Sequence, residues 1–594
     1  MFPMRVRRRK NGKEHVYWAL AESRRTPKGS RHRIVGWLGE LKGGARSGWA
    51  HLARQLNGKL PALAQPTLFD PRPPGEPVPE RVRVELCGVR VEATRDFGDV
   101  WLGWVLWRAL GLDVLFSKLL PRGHEGVPWA LLVAVEVLAR LCEPSSELHA
   151  AETWYPKTAL PDLLGIPPEE VYEERLYRTL DVLLPLKDAV ERHLAERLGE
   201  LFGLGRELCF YDLTSSFFEG EASRNPLAQR GYSRDGRGEC KQVCLGLVVG
   251  ADGMPRGHEV FAGNRHDGPT LPGRVDHMEA QYGPARRLWV FDRGIADEGN
   301  LAYLRERGGV YLVGTPRPLL RRFERELTDP GGWRTVPVGV EVKLAADPAG
   351  GETFVLCRSG ERAAKERGIH ERFAARIEAG LLRLQRRLAA ARKPPDRPRT
   401  ERQLGRLLQK NSRAAGKFAV HLEADPDRPG QLRLGWTCDE AWTAWAAASE
   451  GAYLLRTNLA DSDPDALWHR YMELTEVEAL IRTLKTDLVL RPFHHQIEPR
   501  VRAHILVAYL ACVLWKTLQK WMEAAGLGNG VRTLLEECAR IKTCEVVLPT
   551  NAGREIQLLC VSRPDPWQRA LLDRLGIEIP ARLGEPRWRK LIEL

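Results

Sequence analysis

The sequence predicts a multidomain α/β protein organised around a mixed β-sheet, and three observations predict it. The chain has 594 residues, far more than one core requires. Its apolar periodicity changes from three-and-four spacing to strand-like runs near Leu208. Beyond that point strands first follow one another directly and then alternate with helices.

Residues 1–60 hold 15 basic and 3 acidic side chains, with short alternating runs at Val16–Leu20 and Arg33–Leu38. They predict a small basic β module suited to DNA. Residues 61–82, which include Asp70-Pro-Arg-Pro-Pro-Gly75, have the composition of an extended linker. Over residues 83–205 apolar positions recur at three and four in Trp101–Leu110, Trp129–Leu141 and Leu176–Leu201, so this part reads as a helical domain.

From 206 to 317 the chain reads as three antiparallel strands, at Cys209–Thr214, Val243–Gly250 and His258–Phe261, with turns at Gly250–Gly253 and Gly263-Asn264. A helix near Leu271–Tyr282, a strand at Leu288–Asp292, a helix at Glu298–Arg307 and a strand at Val310–Val313 follow. That is the order of a ribonuclease H-like core. Residues 318–453 read as a large insertion, with β-like runs at Trp333–Leu344 and Thr353–Cys357 and a basic helical part at Leu381–Lys417. The core resumes over 454–523 with a helix at Leu467–Leu488, and 524–594 form a helical and mixed tail.

The balance of 90 basic against 77 acidic residues gives a net charge of +13 and favours a polyanionic partner. The apolar run His504–Trp515 is shorter than the ~20 residues that span a bilayer and reads as a buried helix, so no membrane partner is expected. Eleven cysteines without a Cys-x-x-Cys spacing suit a reducing cytoplasm and no structural zinc. There is no Gly-x-x-x-x-Gly-Lys-Ser/Thr loop, no His-Glu-x-x-His site and no Gly-x-Ser-x-Gly elbow, which sets aside nucleotide motors, zinc peptidases and α/β-hydrolases.

Three carboxylates invite chemistry. Asp212 interrupts an apolar strand in Phe210-Tyr-Asp-Leu-Thr-Ser215, where an unpartnered acid is costly. Asp292 ends the strand Leu288–Phe291, at the edge where α/β sheets place their sites. Glu478 lies on the predicted helix beside the stripe Val477, Leu480, Ile481, Leu484 and Leu488, with Tyr471, Arg482 and Lys485 on its own face. Singly, each has a plain structural reading: a turn-capping aspartate beside Thr214 and Ser215, an ordinary turn, and a Glu478–Arg482 surface pair. Together they match the need of two-metal phosphodiester chemistry for hard oxygen ligands, with Mg²⁺ or Mn²⁺ as the cations.

The spacing Tyr471, Leu474, Glu478, Lys485 resembles the Tyr-Arg-Glu-Lys pattern of the DDE transposases of bacterial insertion sequences, with Leu474 in place of the arginine. Asp212 with Thr214, and Asp292-Arg293-Gly294, match that family's two aspartate motifs. Further similarity lies in Gly231–Arg237, Gly263–Asp267, Arg491–His495 and Arg502–His504, none with an assigned role, and the likeness covers roughly 206–517. The resemblance implies a transposase that binds transposon ends, cleaves with two Mg²⁺ or Mn²⁺ ions held by Asp212, Asp292 and Glu478, and joins the freed 3′-hydroxyl to target DNA. It implies DNA contacts at Tyr471, Arg482, Lys485, Thr214 and Arg293, with Arg482 the candidate to replace the missing arginine. It also implies a homodimer on double-stranded DNA, working beside the nucleoid in a bacterial cytoplasm. Trp333 is a candidate for stacking on an extruded base, with hairpin packing as the alternative. The rival functions are a catalytically silent DNA-binding descendant and a ribonuclease H-like nuclease that does not join strands.

Overall fold

The computed structural model describes residues 2–10, 13–26, 29–39, 83–121, 127–202, 208–250, 253–282, 287–336, 339–347, 350–459, 463–551 and 554–590. The expected linker, 61–82, lies outside the described residues, as do residues 40–60 of the basic module. The described part of that module is an antiparallel sheet of β1 (Phe2–Lys10), β2 (Lys13–Thr26) and β3 (Gly29–Gly39).

The next strand, β4 (Arg90–Asp96), leads into helices α1 (Gly98–Ala109), α2 (Leu112–Leu119), α3 (Trp129–Cys142), α4 (Glu173–Leu183) and α5 (Lys187–Phe202). The single helix expected over Leu176–Leu201 is two, because Pro185 supplies no backbone N–H and a 3₁₀ turn, Leu184–Leu186, takes the place of α-helix.

Five strands then build the centre of the molecule: β5 (Leu208–Phe217), β6 (Gln242–Val249), β7 (Pro255–Ala262), β8 (Leu288–Phe291) and β9 (Val310–Gly314). They lie in the order β7-β6-β5-β8-β9, with β5, β6 and β7 antiparallel in turn and β5, β8 and β9 parallel. The parallel connections carry α6 (Leu271–Tyr282), between β7 and β8, and α7 (Glu298–Glu306), between β8 and β9. Every residue of β6 is buried, which is why that strand is almost continuously apolar.

The sheet does not end at β9. Strands β10 (Arg334–Val336), β11 (Val340–Ala346) and β12 (Thr353–Ser359) continue it, through β15 (Ala452–Thr457), to nine strands. The expected insertion, 318–453, is therefore partly an extension of the sheet. What stands apart from the sheet is α8 (Gly360–Ala389), α9 (Arg397–Lys410), the hairpin β13 (Phe418–Ala424) and β14 (Leu432–Cys438), and α10 (Glu440–Ser449). The basic helix begins 21 residues before Leu381, because Ser359 caps it by accepting from the Arg362 N–H and no proline intervenes before Pro394.

The helix expected over Leu467–Leu488 is also divided. Helix α11 (Pro464–Met472) gives way at Glu473 to α12 (Leu474–Arg482), and a π turn follows over Thr483–Asp487. Helix α13 (Glu498–Ala524) is buried along most of its 27 residues and packs on α3 and α4. It is apolar and long enough to cross a membrane, and about 94% of its most apolar stretch is covered by the rest of the protein. After α14 (Val531–Cys538), β16 (Lys542–Pro549) and β17 (Arg554–Val561), the chain continues through α15 (Pro566–Leu575) to β18 (Arg587–Lys590). These strands form a sheet in the order β18-β17-β16-β4, so residues 524–594 are not a separate tail: they complete the layer that starts at β4.

Candidate functional site

Alternation along β5 divides its side chains. Cys209, Tyr211 and Leu213 share a core with Phe291 and Val313 on the side of α6 and α7. Phe210 faces the other way, into the core that holds Val477, Leu480 and Leu484 of α12 and its π turn, and Asp212 and Thr214 follow it by alternation. Parallel pairing of β5 with β8 runs through Leu208–Leu288 to Phe210–Val290. Continuing that register sets Asp212 beside Asp292, each two residues past the last paired positions, at the carboxyl edge of β8.

Asp212 is partly exposed, and its Oδ1 accepts one hydrogen bond, from the Leu213 N–H at 2.8 Å. Burial pushes its carboxyl up to about 7, opposed by the Leu213 N–H and Arg234 and reinforced by the carboxylates of Asp292 and Asp267. Asp267 is a residue to which sequence reasoning gave no role. It receives both 2.6 Å hydrogen bonds of a forked contact from Arg234 Nη2 and lies against the Asp292-Arg293-Gly294 turn, where a Cβ on Gly294 would stand 3.3 Å from Asp267 Oδ2. The signal was present in the Gly263–Asp267 similarity, without chemistry attached to it.

Tyr471, on α11, donates a long hydrogen bond of 3.4 Å to Asp292 Oδ1, and burial together with Asp292 raises its own pKa, so the hydroxyl remains a donor. Gly314, at the end of β9, makes this approach possible, since a Cβ there would sit 2.5 Å from the Tyr471 hydroxyl and 3.3 Å from Asp292 Oδ1. It is a second site residue that sequence reasoning missed.

Glu478 and Arg482 are exposed on α12 and make no ion pair with each other, contrary to the surface-pair reading. The single face expected for Tyr471, Glu478, Arg482 and Lys485 is broken by the gap at Glu473 and by the π turn, which shifts the register of the residues beyond Arg482. Lys485 is consequently turned to Asp235, 2.9 Å from its Nζ, and Arg491 closes on the same carboxylate. Thr214 is buried, and Arg293 is exposed at the mouth of a cavity of about 480 Å³. Trp333 packs beside Leu320 and Phe354, donates its indole N–H to Asp329 O at 2.9 Å and carries the Arg358 guanidinium 4.3 Å above its ring. This is the hairpin-packing alternative.

Asp212, Asp292 and Glu478 do not form a ready-made cage for a single ion. Among the described residues, the trios with ligand atoms all within 4.8 Å of one another are Glu147–His495–His504 and Asp188–Glu191–His277. The donor set nevertheless fits divalent cations: hard oxygens at one sheet edge, one of them repelled by its acidic neighbours and without a cationic partner in contact.

From the Arg491–His495 and Arg502–His504 segments, also unassigned from sequence, His495 and His504 serve the buried Glu147. Its Oε1 accepts from His495 Nε2 at 3.0 Å and His504 Nδ1 at 3.4 Å. Those hydrogen bonds hold the Glu147 carboxyl well below its ordinary range against the cost of burial, while burial and Arg140 push His504 down to about 4. A neutral imidazole that donates one N–H to an ionised carboxylate satisfies both.

No protein-family model and no curated protein matches the chain. Among solved structures, a piggyBac transposase synaptic complex with hairpin DNA aligns over 78% of this chain and 82% of its own, at 10% identity and a TM-score of 0.35. At that score a shared fold is not demonstrated.

Proposed function

We propose that the chain is a DNA transposase with a ribonuclease H-like catalytic core, which cleaves the ends of an insertion sequence and joins them to target DNA. One observation carries this reading: the β7-β6-β5-β8-β9 order places Asp212 on the central strand and Asp292 at the end of its parallel neighbour, with α12, the helix of Glu478, packed over β5. Strand order and polarity of that kind are what a ribonuclease H-like core requires, and the α6 and α7 crossovers fall where its helices fall.

In this reading Asp212, Asp292 and Glu478 would hold two Mg²⁺ or Mn²⁺ ions, which would supply Lewis-acid activation of an attacking oxygen and charge stabilisation of a leaving one. The protein's own groups do the rest. Tyr471 orients Asp292, the Asp267–Arg234 pair braces the turn after it, and Arg293 and Arg482 stand exposed for phosphates. Lys485 reaches a phosphate once it exchanges Asp235 for one. A homodimer would bring two ends together.

The test is strand cleavage and joining on labelled duplexes carrying the element's own ends, in Mg²⁺, Mn²⁺, Ca²⁺ or EDTA, beside Glu478→Gln. Cleavage and joining that require Mg²⁺ or Mn²⁺, with at least a ~10³-fold loss in the variant and end binding retained, are expected. Cleavage without joining would make the protein a nuclease. Tight binding without cleavage in any metal would make it a silent descendant, a reading that Leu474 in place of the arginine favours.

A further inference from the structure

Helix α8 gathers most of its basic residues on one face. At roughly 100° per residue, Arg362, Lys365, Arg372, Arg376 and Arg383 fall within an arc of about 80°, bordered by Glu361 and Glu366 near its N-terminal end, whereas Arg367, Glu371 and Glu378 lie on the far side. All five basic residues are exposed. Among the described residues, Arg372, Arg376 and Arg383 have no carboxylate partner, while Arg362 shares Glu366 with Arg317.

The stripe joins two hollows. The first, about 480 Å³, is lined by Arg293, the residue after Asp292, and by Arg317, Arg362, His370 and Arg413, with Glu366 as its acid. The second, about 760 Å³, is a groove between α8 and α9 lined by Arg372, Arg376, Arg383 and Lys410. Both hollows use α8, and Lys410 and Arg413 follow each other closely at the end of α9. Cationic side chains thus run from the residue after Asp292 outward along α8. From Arg362 to Arg383 the helix advances about 31 Å at ~1.5 Å per residue, close to the ~34 Å turn of B-form DNA.

We infer that this face of α8 is a backbone track for duplex DNA, holding phosphates over about one helical turn and delivering the strand to the carboxylate edge at Asp292. The inference rests on the transposase reading and names where its DNA lies. The contacts are to phosphates, so they read no sequence and position the strand only. The basic surface expected from sequence, Leu381–Lys417, covers the distal part of this track and misses the stretch that connects it to the site.

The experiment is equilibrium binding of the full-length chain to a labelled random-sequence duplex of about 40 base pairs, in EDTA, over a range of NaCl. The wild type is compared with Arg372→Ser/Arg376→Ser/Arg383→Ser, with R376E alone, and with a control lacking the exposed Arg108, Arg178 and Arg540. Losing three phosphate contacts lowers the slope of log K against log salt by about 2.7 and weakens affinity on the order of 100-fold at ~0.15 M. R376E follows in the same direction, and the control keeps the wild-type slope. An unchanged slope in the triple variant, or an equal fall in the control, overturns the track. If metal-dependent cleavage of end DNA persists in that case, the transposase reading stands without it. Failure of the wild type to bind or cleave any duplex removes both. Tighter binding to phosphatidylserine vesicles than to the duplex overturns the assignment of DNA.

Discussion

Glu147 and Asp212 are both carboxylates set into apolar surroundings, and the chain treats them in opposite ways. Glu147 is given two imidazole donors on one oxygen and the Arg140 guanidinium nearby, so it stays ionised where water cannot reach it. Asp212 is given one N–H from its own neighbour, a more distant Arg234, and two further carboxylates. Burial with partners fastens one part of a fold to another. Burial among like charges leaves a group short of positive charge, a state that stability alone does not select.

Three substitutions sharpen that contrast, and the largest effect belongs to the well-partnered acid. Glu147→Ala leaves His495 and His504 without their acceptor and removes one of the two carboxylates, with Glu136, that face Arg140, and unfolding in urea is expected to show a loss of about 3–5 kcal/mol. A loss within experimental error would break the distinction. Asp212→Asn is expected to act in the other direction. Its folded-state pKa is raised from the ordinary 3.8 to about 7, so its cost is absent below the unfolded value and grows as pH rises through the folded one. The asparagine should therefore stabilise the chain by roughly 2 kcal/mol at alkaline pH, allowing for partial exposure, and by nothing in acid. Thermal melts across that pH range read the difference. Added Mg²⁺ should raise the melting temperature of the wild type but not of the variant. The smallest effect is at Gly314→Ala, where the new methyl displaces the Tyr471 hydroxyl from Asp292. Cleavage is expected to slow about 10-fold with folding intact, and a rate equal to the wild type's would remove Tyr471 from any part in orienting Asp292.

The elements around these acids were legible in the sequence to different depths. The order of β5 to β9 was readable because each strand is a short apolar run bounded by glycines or a helix, and because period is a local property. Asp212 and Asp292 were readable because an acid inside or at the end of such a run is conspicuous. What local pattern could not convey was company. The Arg234–Asp267 fork joins residues 33 apart, and Glu147 meets His495 across 348 residues. Helix breaks were also hidden: nothing in Met472-Glu473-Leu474 announces an end to α11, and the π turn at Thr483–Asp487 follows from packing rather than from any breaker residue. The extension of the sheet into 318–453 was hidden for a related reason, since β12 and β15 are ordinary strands whose pairing across about 100 residues is invisible to period.

The pairing of β4 with β16 bears on how a ribosome hands over this chain. Asp96 opposes Lys542, 446 residues later, so the outer strand of the layer that begins the helical region has no partner until nearly all of the polypeptide has emerged. At ~5–20 residues per second, that wait is on the order of 20–90 s. During it the edge of β4 and the surfaces of α1 and α3 that later meet α14 and α13 stay bare. A nascent chain released early would keep its central sheet strands and its arginine helix while lacking the piece that seals the helical layer. Such fragments would be marked for chaperones and proteases by an open strand edge, so that only a chain translated past β17 forms a closed molecule.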